Sequence, residues 1–194
     1  HILFEKCGIR KGEKIALCAR NCAEWCVAYF SVVTYDAVCV PLLPDFLPQN
    51  IADLTRLSDS RLLLVDNAIL GNLKHDNILP QFSGFADFCG LMNIIDFTVA
   101  ENCNGKLDSI VENVEKSFAA RFPNGVTPNA IDYAKDNLDA LSVISYTSGT
   151  SSSPKGVMLT ARSISSNVEF AITHIPATNN DKILSILPLA HIFG

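Results

Sequence analysis

The sequence predicts an α/β fold built on a parallel sheet. Three observations carry this. Strand-length runs are apolar throughout instead of alternating, the mark of strands covered on both faces. Helical periods about ten residues long lie between those runs. The 194-residue chain is 48% hydrophobic and only 18% charged, a balance that suits a substantial packed core.

Residues 14–19 form the first β-like run. Asn21 follows, with Glu24 three positions on, which is the pattern of an N-cap and its capping-box partner. Trp25, Ala28, Tyr29, Val32 and Val33 then fall on one helical face. Residues 37–42 make a second apolar run. A helix over residues 49–58 sets Ile51, Leu54 and Leu57 on one side, and residues 61–65 close a βαβαβ segment spanning 1–66. Its crossovers should be right-handed. Residues 67–137 are less regular, with recurring Asn, Gly, Asp and Pro. They read as connecting structure holding one or two strands and a helix near 107–120. Residues 140–146 form a strand and 157–159 a short partner. Thr160 or Ser163 then caps a helix whose Ile164, Val168, Ala171, Ile172 and Ile175 share a face. Residues 182–187 are again strand-like and lead into 188–194.

The net charge of −5 and the lack of any Lys/Arg cluster leave no electrostatic footprint for nucleic acid. Residues 25–44 are long enough to imitate a membrane span. Asp36 in the middle, with Pro41 and Pro44 near the end, favours a helix followed by a buried strand instead. The cysteines are Cys7, Cys18, Cys22, Cys26, Cys39, Cys89 and Cys103. Cys22 and Cys26 would share a helix face, so a metal site has to be weighed. With no histidine nearby and four ligands required for a closed zinc site, free thiols in a reducing compartment fit better.

Between the two late strands stands YTSGTSSSPKG, residues 146–156. A flexible linker would continue in the same composition, whereas this stretch is pinned between apolar runs. Gly149 and Gly156 permit backbone shapes that turn successive N–H groups into one concavity, an anion-binding nest. The hydroxyls of Thr147, Ser148, Thr150, Ser151, Ser152 and Ser153 add neutral donors, and Lys155 adds a charge. An ordinary Ser-rich surface turn is the competing reading. The spacing from Gly149 to Lys155 matches GxxxxGK[ST], but Pro154 stands where the second glycine belongs and Gly156 where the magnesium-binding hydroxyl belongs. A different phosphate loop is therefore expected. A Rossmann dehydrogenase is disfavoured, because no GxGxxG follows the first strand.

The stretch resembles the phosphate loop of the adenylate-forming superfamily, whose usual form is Y-T-S-G-T-T-G-x-P-K-G-V. Ser152 replaces a frequent glycine. Residues 8–44 are similar to the family's opening segment, with Asp36 at a usual glycine, and SILPLAHIFG resembles its downstream segment, with His191 at a common histidine. The resemblance implies that the chain is an incomplete N-terminal AMP-binding domain, with the phosphate loop and the helix and strand after it in 138–194. It implies ATP-dependent activation of a carboxylic acid to an acyl-adenylate and then acyl-CoA, with ATP, Mg²⁺ and CoA taking part. Under it Thr147, Ser148, Gly149, Thr150, Ser151, Ser152, Ser153, Pro154, Lys155 and Gly156 hold phosphate, and Thr147 lies close to Mg²⁺. Lys155 and His191 serve catalysis. The late segments lean toward a long-chain fatty acid substrate. A cytoplasmic protein is expected, with peripheral contact to a membrane open to it. The chain by itself is expected to be an inactive fragment. The alternative is a non-catalytic nucleotide-binding or interaction remnant.

Overall fold

The computed structural model describes residues 1–127, 130–131, 133, 137–147, 154–176, 178, 180–182 and 184–191. Seven strands, β1 (Lys14–Cys18), β2 (Val38–Pro41), β3 (Ser60–Val65), β4 (Gly90–Asn93), β5 (Val99–Asn102), β6 (Leu141–Thr147) and β7 (Lys155–Thr160), form one sheet. Their order is β5-β4-β3-β1-β2-β6-β7. Strands β1, β2, β3, β4 and β6 are parallel, and β5 and β7 are antiparallel edges. Six helices complete the fold among the described residues: α1 (Ile2–Lys6), α2 (Ala23–Thr34), α3 (Pro48–Leu57), α4 (Asn67–His75), α5 (Leu107–Arg121) and α6 (Ala161–His174).

The apolar runs are explained by burial on both faces. Alternate residues of each strand enter two different cores. Ile15, Leu17, Leu62 and Leu64 pack with Trp25, Val32 and Leu107 under α2 and α5. Ala16, Cys18, Leu63 and Val65 pack with Ile51, Leu54, Ile69, Leu73 and Phe82 under α3 and α4. A strand that serves two cores has no polar face to display. Each fully buried Leu or Ile contributes about 1.5–3 kcal/mol, so the central strands hold the molecule together. At the surface, Arg121 grips both carboxylate oxygens of Glu5 at 3.1 and 2.5 Å and joins α5 to α1.

Several expectations need correction. Helix α2 starts at Ala23 after Cys22, with no side-chain cap; the Asn21 amide bonds elsewhere. The stretch 67–137 holds the two strands and the helix expected of it, β4, β5 and α5, but it also holds α4, which was not expected. Helix α4 escaped the reading because its capping residue, Asp66, sits at the end of a buried strand. Its Oδ1 accepts from Ile69 N at 2.8 Å. Of the residues set on one side of α3, Ile51 and Leu54 are buried and Leu57 is largely exposed; Ile51, Ala52, Leu54 and Thr55 make the inner face. Thr160 is the N-cap of α6. Of that helix's apolar stripe only Ile164 reaches the core; Val168, Ile172 and Ile175 stay exposed, because α6 lies beside the edge hairpin, where little sheet face is left to cover. The described residues of 182–187 form no strand.

Asp36, where the resembling family has glycine, adopts φ +71°. Its carbonyl accepts from Gly12 N at 2.6 Å, which fixes the turn between α2 and β2. Left-handed backbone is costly for most L-residues but tolerated by Asp and Asn. Asp36→Gly is therefore expected to hold or raise stability by up to about 1 kcal/mol, and Asp36→Val to lower it by about 1–2 kcal/mol. Urea unfolding of both variants checks this; a valine variant as stable as the parent would contradict the left-handed turn.

Candidate functional site

Because five strands are parallel, their carboxyl ends share one edge of the sheet. The sheet order places β2 on one side of β1 and β3 on the other, while α2 and α3 cover opposite faces. The chain thus diverges at the ends of β1 and β3. In open α/β sheets such a divergence leaves the crevice where ligands bind.

Strand β6 ends at this edge with Thr147, and β7 starts back from it with Lys155. The two residues are direct partners in the antiparallel ladder, next to the pair Tyr146 and Gly156. Ser148, Gly149, Thr150, Ser151, Ser152 and Ser153 lie outside the described residues. The neck is described. Directly opposed residues project from the same face of a ribbon, so the side chains of Thr147 and Lys155 leave the same face of the hairpin. Both are exposed, as is Pro154.

The face they share follows from the alternation. Val143 and Leu159 pack into the core under α2, whereas Ile144 and Tyr146 belong to the core under α3 and α4. Thr147 and Lys155 are in phase with Val143 and Leu159, so they lie on the α2 side. Tyr146, 8% exposed, anchors the hairpin from below, and burial pushes its hydroxyl pKa up. Gly156 fits a tight space here, which a larger residue would share only if its neighbours shifted. A Cβ at that position would lie 3.0 Å from Ile144 Cγ2 and 3.2 Å from Tyr146 Cε1.

The segment carrying His191 reaches the same edge and the same face. Leu189 and Ala190 pack into the core under α2, and His191 N donates to Pro188 O at 2.8 Å, closing a turn. Asn21, three residues past the end of β1, bonds Leu187 and Leu189, so that turn lies beyond the carboxyl end of β1, with β2 between β1 and β6 in the sheet. The structure therefore brings Thr147, Lys155 and the His191 turn to one end of one face. Asn21 and Asp66 were not foreseen as parts of this edge. Asp66 Oδ2 accepts from Arg20 N at 2.7 Å, and Asn21 holds the late segment. Asn21 mimicked a helix cap in the sequence, and Asp66 carried no signal beyond a carboxylate following a buried strand.

A larger concavity than any described at this edge lies elsewhere among the described residues. A groove of about 1040 Å³ runs between α1, α2 and α5, lined by apolar side chains such as Val27, Phe30, Phe118 and Phe122. Its polar groups are engaged with one another, Glu5 with Arg121 and His1 Nε2 with Thr34 Oγ1 at 2.9 Å. None converges on the cavity as an anion site would require. Among the described residues no group of three or more His, Cys, Asp or Glu stands together. The cysteines expected to be free thiols are all unpaired, and burial drives the Cys18 and Cys39 pKa values up. No described helix is long and apolar enough to cross a membrane.

Comparison with known proteins agrees with this geometry. The family model described as AMP-binding enzyme matches residues 2–194. The long-chain-fatty-acid–[acyl-carrier-protein] ligase AEE15 of Arabidopsis thaliana is 28% identical over 96% of this chain and 26% of its own length. Long-chain-fatty-acid–CoA ligase 5 of Rattus norvegicus is 29% identical over 96% of this chain and 28% of its own. The chain thus spans about a quarter of the length of these relatives. Among solved structures, ATP-bound MatB from Rhodopseudomonas palustris superposes with a TM-score of 0.70 at 19% identity, covering 98% of this chain and 33% of that one; it shares the fold. With a family match across nearly the whole chain, and a strand–loop–strand hairpin at the carboxyl edge of a mostly parallel α/β sheet, this protein belongs to the AMP-binding enzyme family.

Proposed function

We propose that this chain forms the phosphate-handling part of an enzyme that activates a carboxylic acid, of the long-chain fatty acid class, as its acyl-adenylate. The observation that supports this best is the pairing of Thr147 with Lys155 at the carboxyl end of β6. It sets a hydroxyl and a fixed cation at the neck of a loop rich in N–H and hydroxyl donors.

In the reaction proposed, a carboxylate oxygen attacks the α-phosphorus of ATP, the bond to the bridging oxygen breaks, and pyrophosphate leaves with that electron pair. A thiol then attacks the acyl carbon and AMP departs. Negative charge grows on the leaving pyrophosphate in the first step. Lys155, whose backbone is set by the ladder, carries the charge that neutralises the leaving group, which is where electrostatic stabilisation is most effective. Thr147 and the donors of Ser148, Gly149, Thr150, Ser151, Ser152 and Ser153 orient the phosphates. His191 lines the place where carboxylate meets α-phosphate. The Thr147 hydroxyl is the group on this chain that would hold Mg²⁺. A single hydroxyl fits an ion that takes most of its ligands from water and substrate phosphates, and when bound the ion supplies further charge neutralisation.

CoA is the proposed thiol. The long-chain acid is proposed because both relatives named above carry it in their names, although they differ in the thiol acceptor. Buried thiols at Cys7, Cys18, Cys39 and Cys89 support a reducing compartment such as the cytoplasm.

Two outcomes follow. Lys155→Ala in the full-length product of the reading frame encoding this chain should lower adenylate formation by roughly 10- to 150-fold, the loss of one charge-assisted contact worth about 1.5–3 kcal/mol. Fatty acid binding without ATP should be nearly unchanged. Equal loss of both would assign Lys155 a structural role. The 194-residue polypeptide alone, given ATP, CoA, Mg²⁺ and mixed fatty acids, is expected to release pyrophosphate at background rate; clear turnover would overturn its standing as part of a larger site.

A further inference from the structure

Asn21 was expected to cap α2 and does not. Its amide faces the late segment more than 160 residues away in sequence. Nδ2 donates to Leu187 O at 2.8 Å and approaches Ser185 Oγ at 3.4 Å, while Oδ1 accepts from Leu189 N at 2.8 Å. A donor on the carbonyl of one residue and an acceptor on the N–H two residues later is the pattern that a neighbouring strand offers in a parallel ladder. The side chain thus acts as a one-residue strand, centred on Pro188. The centre residue makes no bond in that pattern, so the missing N–H of proline costs nothing there. A flipped amide would set donor against donor and acceptor against acceptor, so the orientation is determined.

We propose that Asn21 is a positioning residue for adenylate formation, holding residues 185–191, and with them His191, over the carboxyl edge of the sheet. The inference rests on the acid-activation reading given above. Its support comes from both sides of the clip. On one side the anchor is rigid. Arg20 N is bound by Asp66 Oδ2, and the other oxygen of Asp66 caps α4, so the turn carrying Asn21 is tied to the ends of β1 and β3 together. On the other side the bonds of Asn21 fall in the exposed part of the segment and at the point where it enters the core. Leu184 and Ile186 are 84% and 79% exposed, and apolar burial begins only at Leu189 and Ala190. The turn closed by His191 N on Pro188 O is built on the clipped residues themselves. A shift of Leu187 or Leu189 therefore moves His191.

Hydrogen–deuterium exchange of the chain, read by mass spectrometry, tests the clip. Kinetics of the full-length product of its reading frame test the role. In Asn21→Ala, exchange of the peptide containing Leu189 should rise about five- to tenfold, the loss expected for a neutral hydrogen bond of ordinary strength. Peptides from β1 and β3 should not change. Asn21→Asp retains the acceptor for Leu189 N and loses the donor to Leu187 O, so its rise should be smaller. In the full-length product, Asn21→Ala should lower kcat for pyrophosphate release about tenfold with KM for ATP within twofold, and Asn21→Asp should recover part of that loss. Faster exchange with unchanged kcat would overturn the positioning role while the activation reading stands. Unchanged exchange at Leu189 would overturn the clip itself. An unaltered full-length product that forms no acyl-adenylate would overturn the activation reading, and the positioning role with it, even if exchange rises as expected.

Discussion

A parallel sheet covered on both faces leaves its chemistry only at its ends, and every functional feature of this chain follows from that constraint. Side chains of β1, β2 and β3 are consumed by two cores. What remains available is the row of turns where the strands stop. Parallel strands stop on the same side, so residues far apart in sequence meet there without any special contact being built for them. Asn21, Asp66 and Thr147 share an edge for this reason; Lys155 joins them as the antiparallel partner of Thr147, and the His191 turn through the bonds of Asn21.

The edge then needs fixing, because turns at strand ends have few buried apolar contacts. Polar side chains with two functions supply this. One carboxylate of Asp66 both caps α4 and holds the backbone after β1. One amide of Asn21 bonds two backbone groups of the late segment. The hairpin is fixed differently, through Tyr146 in the core below and a glycine at 156 that lets the two strands close over its ring. In each case a small number of directional contacts, worth about 1 kcal/mol apiece, decides where a loop lies. The sheet supplies the bulk stability.

The fold was legible wherever burial dictates the letters. The runs at 14–19, 37–42 and 61–65 had no alternative to two-sided burial, and β1, β2 and β3 are found there. Legibility failed where a residue type has two uses. Asn21 with Glu24 satisfies the pattern of a capping box, and nothing local reveals that the amide bonds a segment more than 160 positions later. Beyond 67 the chain continues the same sheet, but β4 and β5 are only four residues each, too short to show a period. The stripe on α6 was legible as one apolar face, but not that most of it stays exposed, since periodicity reports a face and not what covers it. The hydroxyl-rich stretch showed its chemistry through composition. Its pairing of Thr147 with Lys155 needed the ladder.

The central claim is that phosphate is held at the neck of the β6–β7 hairpin, on the face shared with residues 185–191. The most direct measurement is a two-dimensional amide NMR titration of the isotopically labelled chain with millimolar ATP and Mg²⁺. Perturbations concentrated at Thr147, Lys155 and Gly156, with smaller ones at Leu189 and His191, are the predicted result. Perturbations confined to the groove residues Phe30 and Phe118, or none at the hairpin at saturating nucleotide, would contradict it.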